Sequence, residues 1–431
     1  LESTEREEGV AEVRGLLKGA MEGKEMYVRI FCLGPLKSVF SMSAVQVTDS
    51  AYVAHSEDLL YRPGYEQFKL IGDSPDFFRV LHSAGRLDDR NVSAETDKRR
   101  MYIDYTRDLV YSVNTQYAGN TVGFKKLCLR LTIRKAMREG WLSEHMFIMG
   151  VHGPKERVTY FTGAFPSACG KTSTAMVEGE TIIGDDIALI KRINGEVRTV
   201  NVECGIFGII QDVNAKDDPL IFKALNTPGE VIFSNILAKD GKTYWSGDGR
   251  EHPADGENFS GAWFSGKKNA QGKDIPPSHK NARFTLKLSA LPNLDPLADD
   301  PKGVRVGGMI FGGRDSDTCV PVQQAFNWAH GVVTMAAGQE SETTAATLGK
   351  EGVRAFQPMA NLDFLSVPVG EYLHNYLLFP LGLIERPAIF GVNYFLVKDK
   401  TAPQKDYLNG RHDKRIWLKW MELRVNGDRK S

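Results

Sequence analysis

The sequence lacks an excess of either charge: 54 Lys and Arg stand against 54 Asp and Glu, a formal net charge of zero. That excludes nucleic-acid or membrane-surface binding driven by overall charge, but not a local basic pocket. Cysteines are few. Cys32, Cys128, Cys169, Cys204 and Cys319 are odd in number and scattered, with no CxxC spacing, which suits a reducing, cytoplasmic setting. Long apolar runs are absent too. The longest uncharged stretch, Cys319 to Gln339, carries Gln323, Gln324, Asn327 and His330, too polar for a transmembrane helix. The opening LESTEREEGVAEV has no apolar core and is no secretory signal. It starts at Leu1 rather than Met, so a fragment or a processed chain is expected. There is no repeat and no low-complexity tail. What is present is 431 residues, 42% hydrophobic and 25% charged. Those values fit two or three globular domains with a core that needs no disulfide or metal to fold.

Residues 1–137 read as a first α/β region. KEMYVRIFCLG and the alternating MSAVQVTD predict strands, DFFRVLHSAGRL a helix ended by Gly85, and MYIDY and LVYSVNTQY two further strands. Lys126 to Glu139 predicts a helix with Gly140 at its C-cap. From Trp141 the order is strand (MFIMGV), strand (RVTYFTGAF), loop (PSACGKT), helix start (TSTAMV) and strand (TIIGDDIALI). Such alternation predicts a mixed or parallel sheet around a phosphate site. Lys239 to Ser278 is rich in Gly, Asp, Ser and Lys and predicts loops and short hairpins.

The loop Phe165-Pro-Ser-Ala-Cys-Gly170-Lys171-Thr172 lies between a strand and a helix start. Binding phosphate there needs backbone N–H groups at a helix N-terminus, a lysine for charge and a hydroxyl for a cation. Gly170, Lys171 and Thr172 supply them. The GxxxxGK[ST] pattern is incomplete, because Phe165 takes the first glycine's place and Gly163 lies upstream. A phosphate loop and an ordinary helix start are balanced readings. Asp185 and Asp186 close an apolar strand thirteen residues after Thr172. Alone they would be a polar turn; beside the loop, the divalent-cation reading is preferred. Taken alone, His145, Lys125, Lys126, Arg283 and Arg314 are each more often a satisfied or solvated side chain than a ligand or clamp. From residues alone, the chain is a metal-dependent binder of nucleotide phosphates.

An ordered series of segments goes further: MYVRIFCLGPL with VTDSAYVAHS, QYAGNTVGFKK, EGWLSEHMFIMGV, FPSACGKTSTAM, IGDDIA, NARF, MIFGGR, SETTAAT, GVNYF and IWLKWMELRVNG. Together they resemble the GTP-dependent phosphoenolpyruvate carboxykinases, archaeal members above all. The resemblance implies an α/β protein of two domains with mixed sheets and a P-loop-like phosphate site at the domain interface. Residues 1–137 would be the substrate-binding domain. Residues 138–431 would bind nucleotide and metal, with a mobile lid near 340–350. It implies the reaction oxaloacetate + GTP = phosphoenolpyruvate + CO₂ + GDP through a pyruvate enolate. Lys126, His145 and Asp186 would hold Mn²⁺, and Thr172, with Asp185 nearby, a Mg²⁺ or Mn²⁺ on the nucleotide. Lys125, Cys169 and Arg314 match catalytic positions, with a lowered thiol pKa expected at Cys169 from the helix N-terminus and Lys171. Tyr117, Gly119, Ser167, Asn281 and Arg283 match substrate contacts. Nucleotide contacts match Ala168, Cys169, Gly170, Lys171, Thr172, Arg283, Arg314, Tyr394, Phe395 and Tyr407. Asn409-Gly-Arg-His-Asp-Lys is shorter and more charged than the family's purine loop, which keeps ATP or pyrophosphate open as donor. A non-catalytic GTP-binding protein on this fold is the alternative from another class. The pattern also predicts an arginine-bearing segment ahead of Lys24 and a continuation past Ser431. Neither nucleic acid nor membrane is an expected partner.

Overall fold

The computed structural model describes residues 3–116, 125–167, 169–318, 320–343, 352–399, 406–410 and 413–428. The chain divides into two compact units, Leu1–Glu203 with Asp295–Ser431, and Cys204–Leu294.

Among the described residues, the first unit opens with a six-stranded sheet in the order Arg62–Pro63, Tyr27–Leu33, Met42–Thr48, Phe78–Ser83, Leu109–Val113, Arg100–Asp104. Phe78–Ser83 is where a helix was expected. Phe78, Val80 and His82 are buried while Arg79 and Leu81 are partly exposed, a period of two that only a strand can satisfy. The strand runs parallel to Met42–Thr48 and to Leu109–Val113, so the pairing of its neighbours overrides the local helical pattern.

His82 sits fully buried in this sheet, its Nε2 2.7 Å from the Thr115 carbonyl and its Nδ1 2.6 Å from the Thr48 hydroxyl. A neutral ring satisfies both, donating from Nε2 and accepting at Nδ1. Burial pushes its pKa down to about 4. The stability this group contributes is therefore complete above the imidazole's ordinary pKa of about 6.5 and is lost as pH falls towards 4. Acid unfolding followed by circular dichroism should show that loss, up to about 1.4 kcal/mol per pH unit for one proton. His82→Gln should lack this component; an unchanged slope would remove His82 from the account.

The second sheet of this unit carries the FPSACGKT loop and the aspartate pair at its strand ends. Its hydrogen-bonded order is Thr181–Gly184, Met146–His152, Val158–Ala164, Val304–Gly313, Glu196–Asn201, Ala188–Ile193, Leu142–Glu144, with Ala388–Asn393 beside the second half of Val304–Gly313. TIIGDDIALI, expected as one strand, is two, Thr181–Gly184 and Ala188–Ile193, broken at the aspartate pair. Val158–Ala164, Val304–Gly313 and Ala388–Asn393 are mutually parallel, with Ala164 opposite Phe311 and Gly313 opposite Asn393. All three chains thus leave the sheet at the same edge, where α/β sheets place their ligands. Beneath that edge Phe147 and Phe165 stack at 5.8 Å. Gly163 is glycine for packing: a Cβ there would lie 2.3 Å from the Phe147 ring.

The second unit holds a three-stranded sheet (Gly205–Ile209, Arg283–Lys287, Val231–Ser234) and a four-stranded one, all antiparallel among the described residues. The latter comes from the stretch expected to form short hairpins. Trp245, just past the strand Lys242–Tyr244, is buried against Phe222 and Phe233 of the same unit. Among the described residues no helix is long and apolar enough to cross a membrane.

Candidate active site

The strand Val158–Ala164 runs into the FPSACGKT loop, and the helix Lys171–Ala175 begins at Lys171, as the sequence pattern predicts. Gly170 supplies the turn with φ of 96°, a left-handed conformation that costs an L-side chain energy. The helix Lys126–Glu139 ends on Gly140, also left-handed at φ 73°. Its N-cap is Lys125, so both lysines project from one helix start.

Asp186 is the hub. Its Oδ2 lies 2.9 Å from Lys126 Nζ and 3.0 Å from Lys125 Nζ; its Oδ1 lies 2.8 Å from His145 Nε2 and 2.5 Å from Lys171 Nζ. Three parts of the chain, the helix start at Lys125 and Lys126, the strand head at His145 and the phosphate loop at Lys171, therefore meet on one carboxylate. Lys125 also bonds both oxygens of Glu203, at 3.0 and 3.1 Å. Glu203 was not singled out from the sequence, because nothing in Asn-Val-Glu-Cys marks it; only the fold pairs it with Lys125.

Burial opposes every charge here, and the balance differs at each group. Asp186 is nonetheless held well below the usual carboxylate range by Lys125, Lys126 and Lys171. Burial opposes the Lys125 ammonium, but Asp186, Glu203 and Asp185 outweigh it and raise its pKa. Lys126 goes the other way: burial, with Lys171 and Lys125 adding to it against Asp186, lowers it to about 7. Burial, Lys126 and Lys171 press His145 down to about 3, so its ring is neutral. A neutral imidazole has one N–H, yet this ring faces two acceptors, Asp186 Oδ1 and the Ala360 carbonyl, 3.4 Å from Nδ1. A cation between Nε2 and Asp186 would resolve that conflict. Next door, burial raises Asp185, whose carboxyl is also reached by the Thr172 hydroxyl. Its Oδ1 is buried with no hydrogen-bond partner among the described residues. An amine able to shed its proton near neutrality, a neutral imidazole, one carboxylate and an orphaned carboxylate oxygen fit a divalent cation.

Cys169 departs from expectation. It is 1% exposed, its Sγ 3.4 Å from Ser341 Oγ and 3.5 Å from the Ser167 carbonyl. Burial pushes its thiol up, against the lowering expected from the helix start and Lys171; Ser341 and Arg314 offset only part of that rise. Ser341 in turn accepts the Arg314 amide at 3.0 Å. The Arg314 guanidinium lies 3.8 Å from the Phe395 ring centre and donates to the Tyr407 hydroxyl at 3.2 Å, so these three form one cluster. Tyr394, expected beside the purine, is buried between Phe165 (6.0 Å) and Trp417 (5.3 Å), with its hydroxyl 3.2 Å from Thr174 Oγ1. Its ring therefore takes part in packing against the phosphate-loop residue Phe165 and the helix residue Trp417.

Ser167 is exposed on the loop, and Thr172 follows Lys171 in its helix. Asn281 and Arg283 belong to the second unit; Arg283 opens the strand Arg283–Lys287 and lies over Phe207 at 5.4 Å. Tyr117, Gly119, Ala168 and the lid from residue 344 onward lie outside the described residues. Asp315, Asp317 and Glu342 form a further acidic cluster with ligand atoms within 4.8 Å of one another, and Arg354 pairs with Asp315 and Asp317 at 3.1 and 3.0 Å.

Residues 1–137 match the phosphoenolpyruvate carboxykinase N-terminal domain, and residues 141–431 match the phosphoenolpyruvate carboxykinase C-terminal P-loop domain. A Pyrococcus horikoshii phosphoenolpyruvate carboxykinase [GTP] is 61% identical over 99% of this chain and 68% of its own length. The Thermococcus kodakarensis protein of the same name gives the same three figures. A bacterial relative of that name, from Chlamydia trachomatis, is 36% identical over 97% of this chain and 70% of its own. Agreement that runs through both domains and reaches across the archaeal–bacterial divide leads to one conclusion: the chain belongs to the GTP-dependent phosphoenolpyruvate carboxykinase family.

Proposed function

We propose that the cluster around Asp186 carries out the carboxykinase reaction, oxaloacetate + GTP = phosphoenolpyruvate + CO₂ + GDP. The observation that carries this reading is the convergence of Lys125, Lys126, His145 and Lys171 on one buried carboxylate beside the phosphate loop. In this reading residues 1–137 hold the organic acid, through Tyr117 and Gly119, and residues 138–431 hold nucleotide and metal. Lys126, His145 and Asp186 would hold Mn²⁺, and Thr172 with Asp185 a Mg²⁺ or Mn²⁺ on the nucleotide. The cations supply positive charge to the enolate oxygen and to the phosphates.

The side chains do the rest. Lys125, kept cationic by Asp186 and Glu203, faces the enolate and the phosphoryl group. Lys171 leaves Asp186 for the β- and γ-phosphates when nucleotide enters. Arg314 neutralises the phosphoryl group in flight. Ser167, Asn281 and Arg283 orient the acid and the γ-phosphate, Ala168 contacts the nucleotide, Phe395 and Tyr407 flank the purine, and the buried Cys169 packs within the loop. Segment 340–350 closes over the site, so that the enolate is phosphorylated rather than protonated. A cytoplasmic setting accords with Cys32, Cys128, Cys169 and Cys204 being unbridged.

The test is phosphoenolpyruvate formation from oxaloacetate with Mn²⁺, comparing GTP, ITP, ATP and pyrophosphate. Product with GTP and ITP but little with ATP is expected. Product with ATP would retain the chemistry and discard the purine pocket. No product with any donor would leave the silent binding protein standing.

A further inference from the structure

Between residues 357 and 366 the backbone does something costly. Met359 and Ala360 both adopt positive φ, 54° and 50°, and both are buried. Neither is glycine, and two consecutive left-handed residues persist only where their surroundings over-determine them. The contacts of this turn explain what holds it. Towards the strands, the Ala360 carbonyl faces His145 Nδ1 at 3.4 Å, and Asn361 Nδ2 donates to Glu144 Oε2 at 3.3 Å, on the residue before His145. Towards the helix Lys126–Glu139, Arg130 donates to the Asp363 carbonyl at 3.0 Å and to the Lys126 carbonyl at 3.3 Å, while Ser366 Oγ donates to the Arg130 carbonyl at 2.6 Å. Phe364 stands between the two sides. Its ring meets the His145 ring edge-on at 4.9 Å, and Lys126 Nζ lies 4.4 Å from its centre.

We propose that the turn Ala360–Ser366 is a positioning element that fixes Lys126 and His145 relative to each other, with Phe364 as the residue that joins them. The inference rests on Lys126, His145 and Asp186 being the metal ligands. Its physical content is specific. The Ala360 carbonyl draws the ring proton to Nδ1, leaving the Nε2 lone pair towards Asp186. The Phe364 edge contact fixes the imidazole plane. Its ring face, 4.4 Å from Lys126 Nζ, limits the rotamers open to that side chain. Neither ligand-bearing element could do this alone, because the two ligands come from a helix start and from the head of a strand. The turn touches both.

The measurement is Mn²⁺ affinity of the full chain without nucleotide, from the free Mn²⁺ signal in electron paramagnetic resonance. Outer-shell partners of ligating histidines are worth about 10–100-fold in metal affinity, and Phe364→Leu should weaken Mn²⁺ binding by about that factor. It should also diminish the ¹⁴N modulation of bound Mn²⁺ in pulsed spectra. Phe364→Trp, which keeps an aromatic face, should restore both readouts towards the unaltered chain. Arg130→Gln, which cuts the helix side of the bridge, should shift affinity in the same direction and serves if Phe364→Leu does not fold. A purely structural turn would lower the melting temperature in these variants and leave Mn²⁺ affinity unchanged; that outcome overturns the proposal. His145→Ala separates the two ideas. If it binds Mn²⁺ as tightly as the unaltered chain, the ligand assignment itself fails. If it weakens binding while Phe364→Leu and Arg130→Gln do not, only the positioning role fails.

Discussion

Replacing Asp186 with Asn is expected to cost about 10³-fold or more in turnover, equivalent to about 4 kcal/mol of transition-state stabilisation. The variant keeps the volume of the side chain and removes its charge. Two effects coincide. One donor to the active-site cation is lost, and Lys125, Lys126 and Lys171 are left around a neutral amide. Removing one member of a buried ion pair costs about 3–5 kcal/mol of stability, because the remaining charge stays desolvated. Here the cost is softened at Lys125, which keeps Glu203, and at Lys126, which can shed its proton near neutrality. A fall in melting temperature should therefore accompany the loss of activity and grow at lower pH, where Lys126 is charged. Steady-state kinetics with Mn²⁺ and thermal unfolding at two pH values check both halves. Turnover within tenfold of the unaltered chain would remove Asp186 from the metal site.

Arg314→Ala is expected to reduce kcat by about 10³-fold, the lower end of what an arginine at a phosphoryl transition state contributes. Arg314→Lys should not restore it. The guanidinium lies 3.8 Å from the Phe395 ring centre and donates to the Tyr407 hydroxyl, and an ammonium does not reproduce its fork of donors. The informative quantity is how the loss divides between kcat and KM for GTP. A fall in kcat with little change in KM places Arg314 on the phosphoryl group in transit. A rise in KM alone would make it a ground-state nucleotide contact and sink its catalytic assignment.

Local features of the site were legible because chain neighbours determine them. The strand–loop–helix around Gly170-Lys171-Thr172, the Gly140 cap and the aspartate pair past a strand end all depend on residues within a few positions. The errors share a cause. DFFRVLHSAGRL has residues that suit a helix, yet parallel neighbours on both sides make it a strand. The lowered thiol expected at Cys169 used two neighbours in sequence and could not see burial behind Ser341. Tyr394 was read as flanking the purine, and its stacking on Trp417 depends on a helix that the local sequence does not bring to it. Glu203, Ala360 and Phe364 carried no local signal at all, since each acts on residues more than seventy positions away.

The three parallel strands bear on how such a protein can change. Their ends are held in register, Ala164 opposite Phe311 and Asn393 opposite Gly313. The phosphate loop, Arg314 and Phe395 begin at those ends, so the layout of the catalytic edge is counted in whole residues. Deleting one residue within any of these strands would retract its loop by about 3.3 Å and turn every side chain beyond it to the opposite face. Lengthening a connection past the edge does neither. Inherited insertions should therefore gather in the stretches between strands, while the number of residues inside Val158–Ala164, Val304–Gly313 and Ala388–Asn393 stays constant across lineages that keep the activity.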